Sequence, residues 1–107
     1  MTPSAFVVHD LEQAKAALKA ARERGLCVLL VSAPNAAAAL GPAVWREIVA
    51  QAAQAEPGAL AAAVLDCGDD PGLALAALRA GVKAIRTGAA PEARAKIADI
   101  AGQMGAT

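Results

Sequence analysis

The chain has 107 residues, of which 57% are hydrophobic and 2% aromatic, and ten basic residues balance ten acidic ones to a formal net charge of zero. It has no basic block and no interleaving of aromatic with basic residues, which argues against a nucleic-acid partner. No apolar run approaches the ~20 residues of a membrane span, and the amino terminus lacks the pattern of a signal peptide. We therefore expect one cytoplasmic domain over residues 1–107, without membrane contact.

Alanine dominates the apolar composition, at roughly 30% of the residues. An alanine-rich core packs backbones closely but buries little apolar area per residue, so we expect modest monomer stability or support from a partner chain. A genome-wide bias toward Ala, Gly, Pro and Arg explains the same composition equally well.

The first strand–helix unit pairs a strand over Ala5–His9 with a helix that runs from Leu11 to about Arg24. Asp10 is placed as the helix N-cap, and Gln13 three residues later is its capping-box partner. These signals predict that the helix begins directly after Asp10.

The second unit opens with Leu26–Val31, a continuously apolar run that is typical of a strand covered on both faces. A short helical piece over Ala36–Leu40 follows, and Gly41-Pro42 interrupts it because proline suits a first helical turn and not an interior. The main helix is predicted over Pro42–Ala55, with Trp45 on its buried face.

The third unit has a strand over Leu60–Leu65 that ends at Asp66, and the Asp70-Pro71 pair marks a strong helix start. The helix over Gly72–Ala80 carries Arg79 as its only charge, and a helix that is apolar nearly all round is buried on more than one side. In so small a chain this pattern predicts a homo-oligomer that associates through this helix, by way of Leu73, Leu75 and Leu78.

The fourth unit has a strand over Val82–Thr87 and a last helix that starts at Pro91. The charged residues Lys83 and Arg86 do not fit the alternation expected of a strand with a buried face. This strand is therefore predicted to lie at an edge of the sheet.

Strands that alternate with helices predict an α/β fold with a four-stranded parallel sheet. The order 1-2-3-4 is half of a (βα)8 barrel, whereas a flavodoxin-like open three-layer sheet has the order 2-1-3-4. The most apolar strand is the second and the most polar is the fourth, which favours the sequential order slightly. A half-barrel has an apolar inner face that a partner must cover, whereas an open three-layer sheet needs no such partner.

In either sheet, ligands bind at the carboxyl ends of the strands, where the strand-to-helix loops gather. One hypothesis takes Asp66 and His9 as an acid–base pair, with Arg86 holding an anion. The segment of Thr87, Gly88 and Ala89 precedes the last helix and could offer backbone N–H groups to a phosphate. The candidate ligand-binding residues are therefore Arg86, Thr87, Gly88 and Ser32.

Each candidate also has a structural interpretation. His9 closes an apolar strand and suits a hydrogen-bonded structural role, while Asp10 and Asp70 already serve as caps. Asp66 is the best single candidate, because a carboxylate that ends a central apolar strand is costly unless it is paired or lies in a cleft. Cys67 is interpreted as a packing residue.

Motifs for cofactors and metals do not occur in the sequence. The glycines form no dinucleotide or nucleotide triphosphate loop, and one histidine with two separated cysteines gives no metal-ligand spacing. Ser32 is not in a nucleophile elbow. Cys27 and Cys67 are expected to be reduced thiols.

Two functions of different classes remain open. The first is a non-catalytic, oligomeric α/β module. The second is a small enzyme or binder of a compact anionic metabolite, phosphorylated or carboxylated, at the carboxyl ends of the strands.

Overall fold

The computed structural model describes residues 4–107. Along this part of the chain the elements are β1 (Ser4–Val8), α1 (Leu11–Glu23), β2 (Val28–Ser32), α2 (Ala36–Ala39), α3 (Pro42–Ala55), β3 (Leu60–Asp66), α4 (Pro71–Arg79), β4 (Ile85–Arg86) and α5 (Pro91–Gln103). The predicted alternation of strands with helices is confirmed.

All strand pairings are parallel, and the strands lie in the order β1-β2-β3-β4. The sequential half-barrel order is thus confirmed, and the flavodoxin-like alternative, which puts the first strand inside the sheet, is wrong. The sheet does not close into a barrel. β1 and β4 are its edges, as predicted for the polar fourth strand.

The predicted helix starts are confirmed at α1 and α4. The Asp10 carboxylate accepts the main-chain N–H of Gln13 at 2.8 Å, and the Gln13 side-chain oxygen accepts the main-chain N–H of His9 at 2.7 Å. The Asp70 carboxylate accepts the N–H groups of Gly72 and Leu73 at 2.8 and 3.3 Å. Both carboxylates satisfy donors that the first helical turn leaves unpaired.

The fourth strand is much shorter than the predicted Val82–Thr87. Its pairing with β3 joins only Leu65 to Ile85 and Asp66 to Arg86. Val82 is buried in the core instead, and its N–H donates to the Ala77 carbonyl at 3.1 Å in the turn that ends α4. The chain therefore reaches the sheet only three residues later.

The core lies between the sheet and the helices. Its largest fully buried side chains are those of Trp45, Leu18, Leu30, Leu65, Leu78 and Cys67. About half of the buried apolar residues are alanines, so the apolar area buried per residue is small. α1 packs against α3, and α4 against α5.

The helices cover only one face of the sheet. Side chains along a strand alternate between its two faces. The buried strand residues all belong to the same face, and they are Val8, Val28, Leu30, Ser32 and Leu65. Sequential parallel strands joined by right-handed crossovers place every helix on that side.

The opposite face, here called the open face, carries two apolar rows across β1, β2 and β3. Paired residues of a parallel sheet point to the same side, and the register aligns Val7 with Val31 and Val64, and Ala5 with Leu29 and Ala62. These six residues are exposed or half-buried, and Val7 is 59% exposed.

Candidate functional site

The loops that follow β2, β3 and β4 meet at the carboxyl end of the sheet, and Asp66 lies at their centre. Its Oδ1 accepts the main-chain N–H groups of Asn35 at 3.1 Å and Gly68 at 2.8 Å. Its Oδ2 lies 3.9 Å from Nε of Arg86, and its side chain is 19% exposed. One carboxylate oxygen thus holds two loops together, while the other faces a cation.

Arg86 is aligned with Asp66 in the register and shares the open face with it. Its side chain is 75% exposed. A pair at this distance and exposure contributes at most about 1 kcal/mol of stability. The guanidinium has five N–H donors, so it retains donors for a bound anion beside the Asp66 carboxylate.

Ser32 is buried at the end of β2, and its hydroxyl forms hydrogen bonds within the protein. Its hydroxyl donates to the Ala33 carbonyl at 3.0 Å and accepts the main-chain N–H of Asp66 at 2.9 Å. The side chain therefore joins β2 to β3 at the point where the ladder ends. This contact leaves the hydroxyl little freedom to bind a ligand.

The loop of Thr87 and Gly88 is closed by its own hydrogen bonds. The Thr87 hydroxyl donates to the Gly68 carbonyl at 2.9 Å and accepts the N–H of Ala89 at 3.2 Å. The Gly88 N–H donates to the same Gly68 carbonyl at 2.9 Å. A phosphate at this loop would have to displace these bonds to reach the N–H groups of Gly88 and Ala89.

His9 lies apart from the other candidates. It is exposed at the end of β1, and its Nδ1 is 3.1 Å from the side-chain oxygen of Gln13. Two strand spacings, about 10 Å in all, separate β1 from β3. The structure therefore groups Asp66 with Arg86 and Ser32, and places His9 beside α1.

Cys67 follows Asp66 and has no exposed surface. Burial, together with the negative charge of Asp66, raises the pKa of its thiol from 9.0 to about 11. A thiol with so high a pKa is protonated at neutral pH and is a poor nucleophile. Cys67 and the exposed Cys27 are both free thiols.

Two residues of this region were not recognised from the sequence as organisers of the site. Asn35 has a left-handed backbone, with φ of 56°, and Gly68 has φ of +59°. These conformations aim both N–H groups at the Asp66 carboxylate. Asn and Gly are the residues that tolerate positive φ best. Their presence in two loops that follow strands was therefore the sequence signal that could have indicated these backbone conformations.

The three leucines of α4 that were predicted to form an interface differ in burial. Leu78 is 2% exposed and belongs to the core of the protomer. Leu73 and Leu75 are half-buried and pack against that core. Only these two leucines retain surface that a partner could contact.

Within residues 4–107, no group of three or more His, Cys, Asp or Glu side chains is placed to hold a metal ion. Over the same residues, every helix is too short or too polar to cross a membrane. A search of protein-family models found none that matches the chain, and no curated protein matches it significantly.

Proposed function

We propose that the protein is a homo-oligomeric α/β module in which a second copy of the chain covers the open face. The observation that supports this function is the pair of apolar rows, Val7–Val31–Val64 and Ala5–Leu29–Ala62, which lie opposite the helices. Parallel sheets occur almost only with both faces covered, and a contiguous exposed apolar patch marks an interaction site.

The size of this face decides what else the interface must include. Three strands and five residues give a footprint of roughly 250 Å², whereas a stable interface buries about 800 Å² on each partner. β1 is the edge strand beside this face, and its Phe6, which is aligned with Leu30 on the helix side of the sheet, is 44% exposed. The proposed interface therefore combines the open face with the edge of β1.

α4 remains the second surface proposed for association, through Leu73 and Leu75. Of its three leucines only Leu73 and Leu75 keep accessible surface, since Leu78 is 2% exposed and belongs to the core. We also propose that the protein is cytoplasmic, because Cys27 and Cys67 would stay reduced in that compartment.

Charge substitutions measured by sedimentation velocity test this function. Val31→Glu places a carboxylate at the centre of the open face and is expected to give monomers. The matched control, Val44→Glu, changes an exposed valine of α3 and is expected to leave the mass of the oligomer unchanged. A monomeric wild-type protein at ~100 μM, or a Val31→Glu variant that keeps the wild-type mass, contradicts the proposal. Dissociation by Leu75→Glu alone would assign the interface to α4.

The second candidate function is the binding of a compact anionic metabolite at the carboxyl end of the sheet. The observation that favours it is the exposed Arg86 guanidinium beside Asp66, on the open face. In this function Arg86 holds the anion and Asp66 acts as base or anchor, while His9 as proton donor would have to act across about 10 Å.

Thermal unfolding with added phosphate tests the second function. A ligand that binds only the folded state raises the melting temperature. The function predicts a rise with phosphate that Arg86→Gln abolishes and that the control Arg24→Gln, at the exposed carboxyl end of α1, leaves unchanged. An equal rise in both variants would mean a general salt effect and would contradict it.

A further inference from the structure

A groove opens between β3 and the segment that leads into β4. The ladder between these strands covers only Leu65 and Asp66, because residues 81–84 turn toward the core at Val82. Among residues 4–107, no strand therefore lies beside Leu60–Val64 on that side, although β3 is an inner strand of the sheet.

The groove has a volume of about 520 Å³, which is within the range of pockets that hold ligands. Its apolar wall comes from α3 and from both sides of the gap. The apolar lining includes Trp45, Val49, Leu60, Ala61, Ala63 and Val82. Small alanine side chains on β3 leave the space unfilled.

The backbone of β3 presents hydrogen-bonding groups to this groove. The N–H groups of Leu65 and Cys67 donate to the carbonyls of Ala84 and Arg86, which lie on the β4 side. Because main-chain groups alternate in direction along a strand, the N–H and C=O of Ala63 point to the same side. At Ala63, β4 no longer lies beside β3, so the N–H and C=O of Ala63 face the groove.

The charged side chains among the described lining of the groove are those of Arg46 and Lys83. Nη1 of Arg46 donates to the Ala80 carbonyl at 2.6 Å, which fixes the guanidinium at the groove. Lys83 is exposed at the rim. Both charges are positive, so the groove is complementary to an acidic occupant.

We propose that this groove binds an extended, acidic peptide segment of a partner protein, which adds as a strand along Leu60–Val64. Five residues of strand span about 16 Å. Main-chain hydrogen bonds to the free edge would supply affinity, and side chains that enter the groove would supply specificity. A fatty acid would satisfy the apolar wall and the charges, but it would leave the backbone of β3 unpaired. The peptide is favoured for that reason.

Selection from a displayed library of random peptides of ~12 residues tests the proposal without assuming a sequence. The blocking variant is Ala61→Phe, which fills the groove from an exposed position of β3. Its control is Ala16→Phe, at an exposed position of α1. Circular dichroism and sedimentation verify that both variants keep the wild-type fold and mass. Peptides enriched on wild type and Ala16→Phe, but lost on Ala61→Phe, are expected to be acidic and rich in β-branched residues.

One selected peptide is then synthesised and titrated against the protein, with Trp45 as the reporter because it is the single tryptophan of the chain and lines the groove. We expect at least ~tenfold weaker binding for Lys83→Glu and for a backbone-N-methylated copy of the peptide, which loses strand hydrogen bonds. Enrichment that Ala61→Phe does not reduce, binding that survives N-methylation, or saturation by sodium decanoate with no peptide selected would each overturn the proposal.

Discussion

The main-chain N–H of Asn35 lies 3.1 Å from Oδ1 of Asp66, and this hydrogen bond fastens the loop after β2 to the end of β3. The same oxygen accepts the N–H of Gly68 at 2.8 Å. A carboxylate at the expected position of a catalytic group thus has a structural task on one oxygen, while its other oxygen faces Arg86.

Asp66→Ala is expected to lower the free energy of unfolding by roughly 2 kcal/mol or more, because it leaves two main-chain donors without their charged acceptor. Asp66→Asn keeps a side-chain oxygen at this position and should cost less. Urea unfolding of both variants measures the difference. If Asp66→Ala were as stable as wild type, the carboxylate would have no role in holding the loops.

Gly68→Ala tests how closely the two loops approach. Gly68 has φ of +59°, and a Cβ added to it would lie 2.7 Å from Oδ1 of Asn35. Gly58 provides the control, since its φ is +83° but no atom of residues 4–107 lies within 4 Å of an added Cβ. We expect Gly58→Ala to cost about 1–2 kcal/mol for the backbone alone, and Gly68→Ala to cost measurably more. Equal losses in thermal or urea unfolding would show that the contact with Asn35 relaxes freely.

Because Cys67 is buried, we expect the free energy of unfolding to fall at alkaline pH. Its thiol releases a proton near pH 9.0 in the unfolded chain but near pH 11 in the folded one, because burial and Asp66 raise the folded pKa. Between these values the unfolded state binds fewer protons, so the free energy of unfolding falls as pH rises. The contribution of this thiol is full below pH 9.0 and is lost as pH rises toward 11.

The expected loss from Cys67 between about pH 8 and about pH 10.5 is about 2 kcal/mol. Because alkali acts on the whole protein, the measurement compares the pH dependence of wild type with that of Cys67→Ala. The variant should show a shallower decline in urea unfolding. Parallel declines would mean that the pKa of Cys67 is not raised by folding.

Sequence reasoning predicted the elements that local signals specify. Asp10 with Gln13, and Asp70 with Pro71, mark helix starts through contacts within four residues, so their geometry follows from the sequence. The sequential strand order was only slightly favoured over the flavodoxin-like order, by which strand is most apolar and which most polar. The capping residues and the polarity of a strand can each be determined from one short segment of the sequence.

The remaining features depend on segments far apart in the chain. Val82 reads as a strand residue, but the turn after α4 directs it into the core and shortens β4 to two residues. Asp66 meets the N–H of Asn35 across 31 positions, which no spacing in the sequence encodes. The groove beside β3 results from that early divergence, so it too could not be predicted.

Methyl NMR with a soluble paramagnetic agent tests the central claim, that a second copy covers the open face, most directly. In the isolated chain Val7 is 59% exposed and Val44 is 48% exposed, so the agent should relax both strongly. At concentrations where the oligomer forms, we predict that the methyl signals of Val7, Val31 and Val64 are protected while those of Val44 on α3 remain strongly relaxed. Relaxation of the Val7 methyls as strong as that of the Val44 methyls in the concentrated sample would contradict a covered open face.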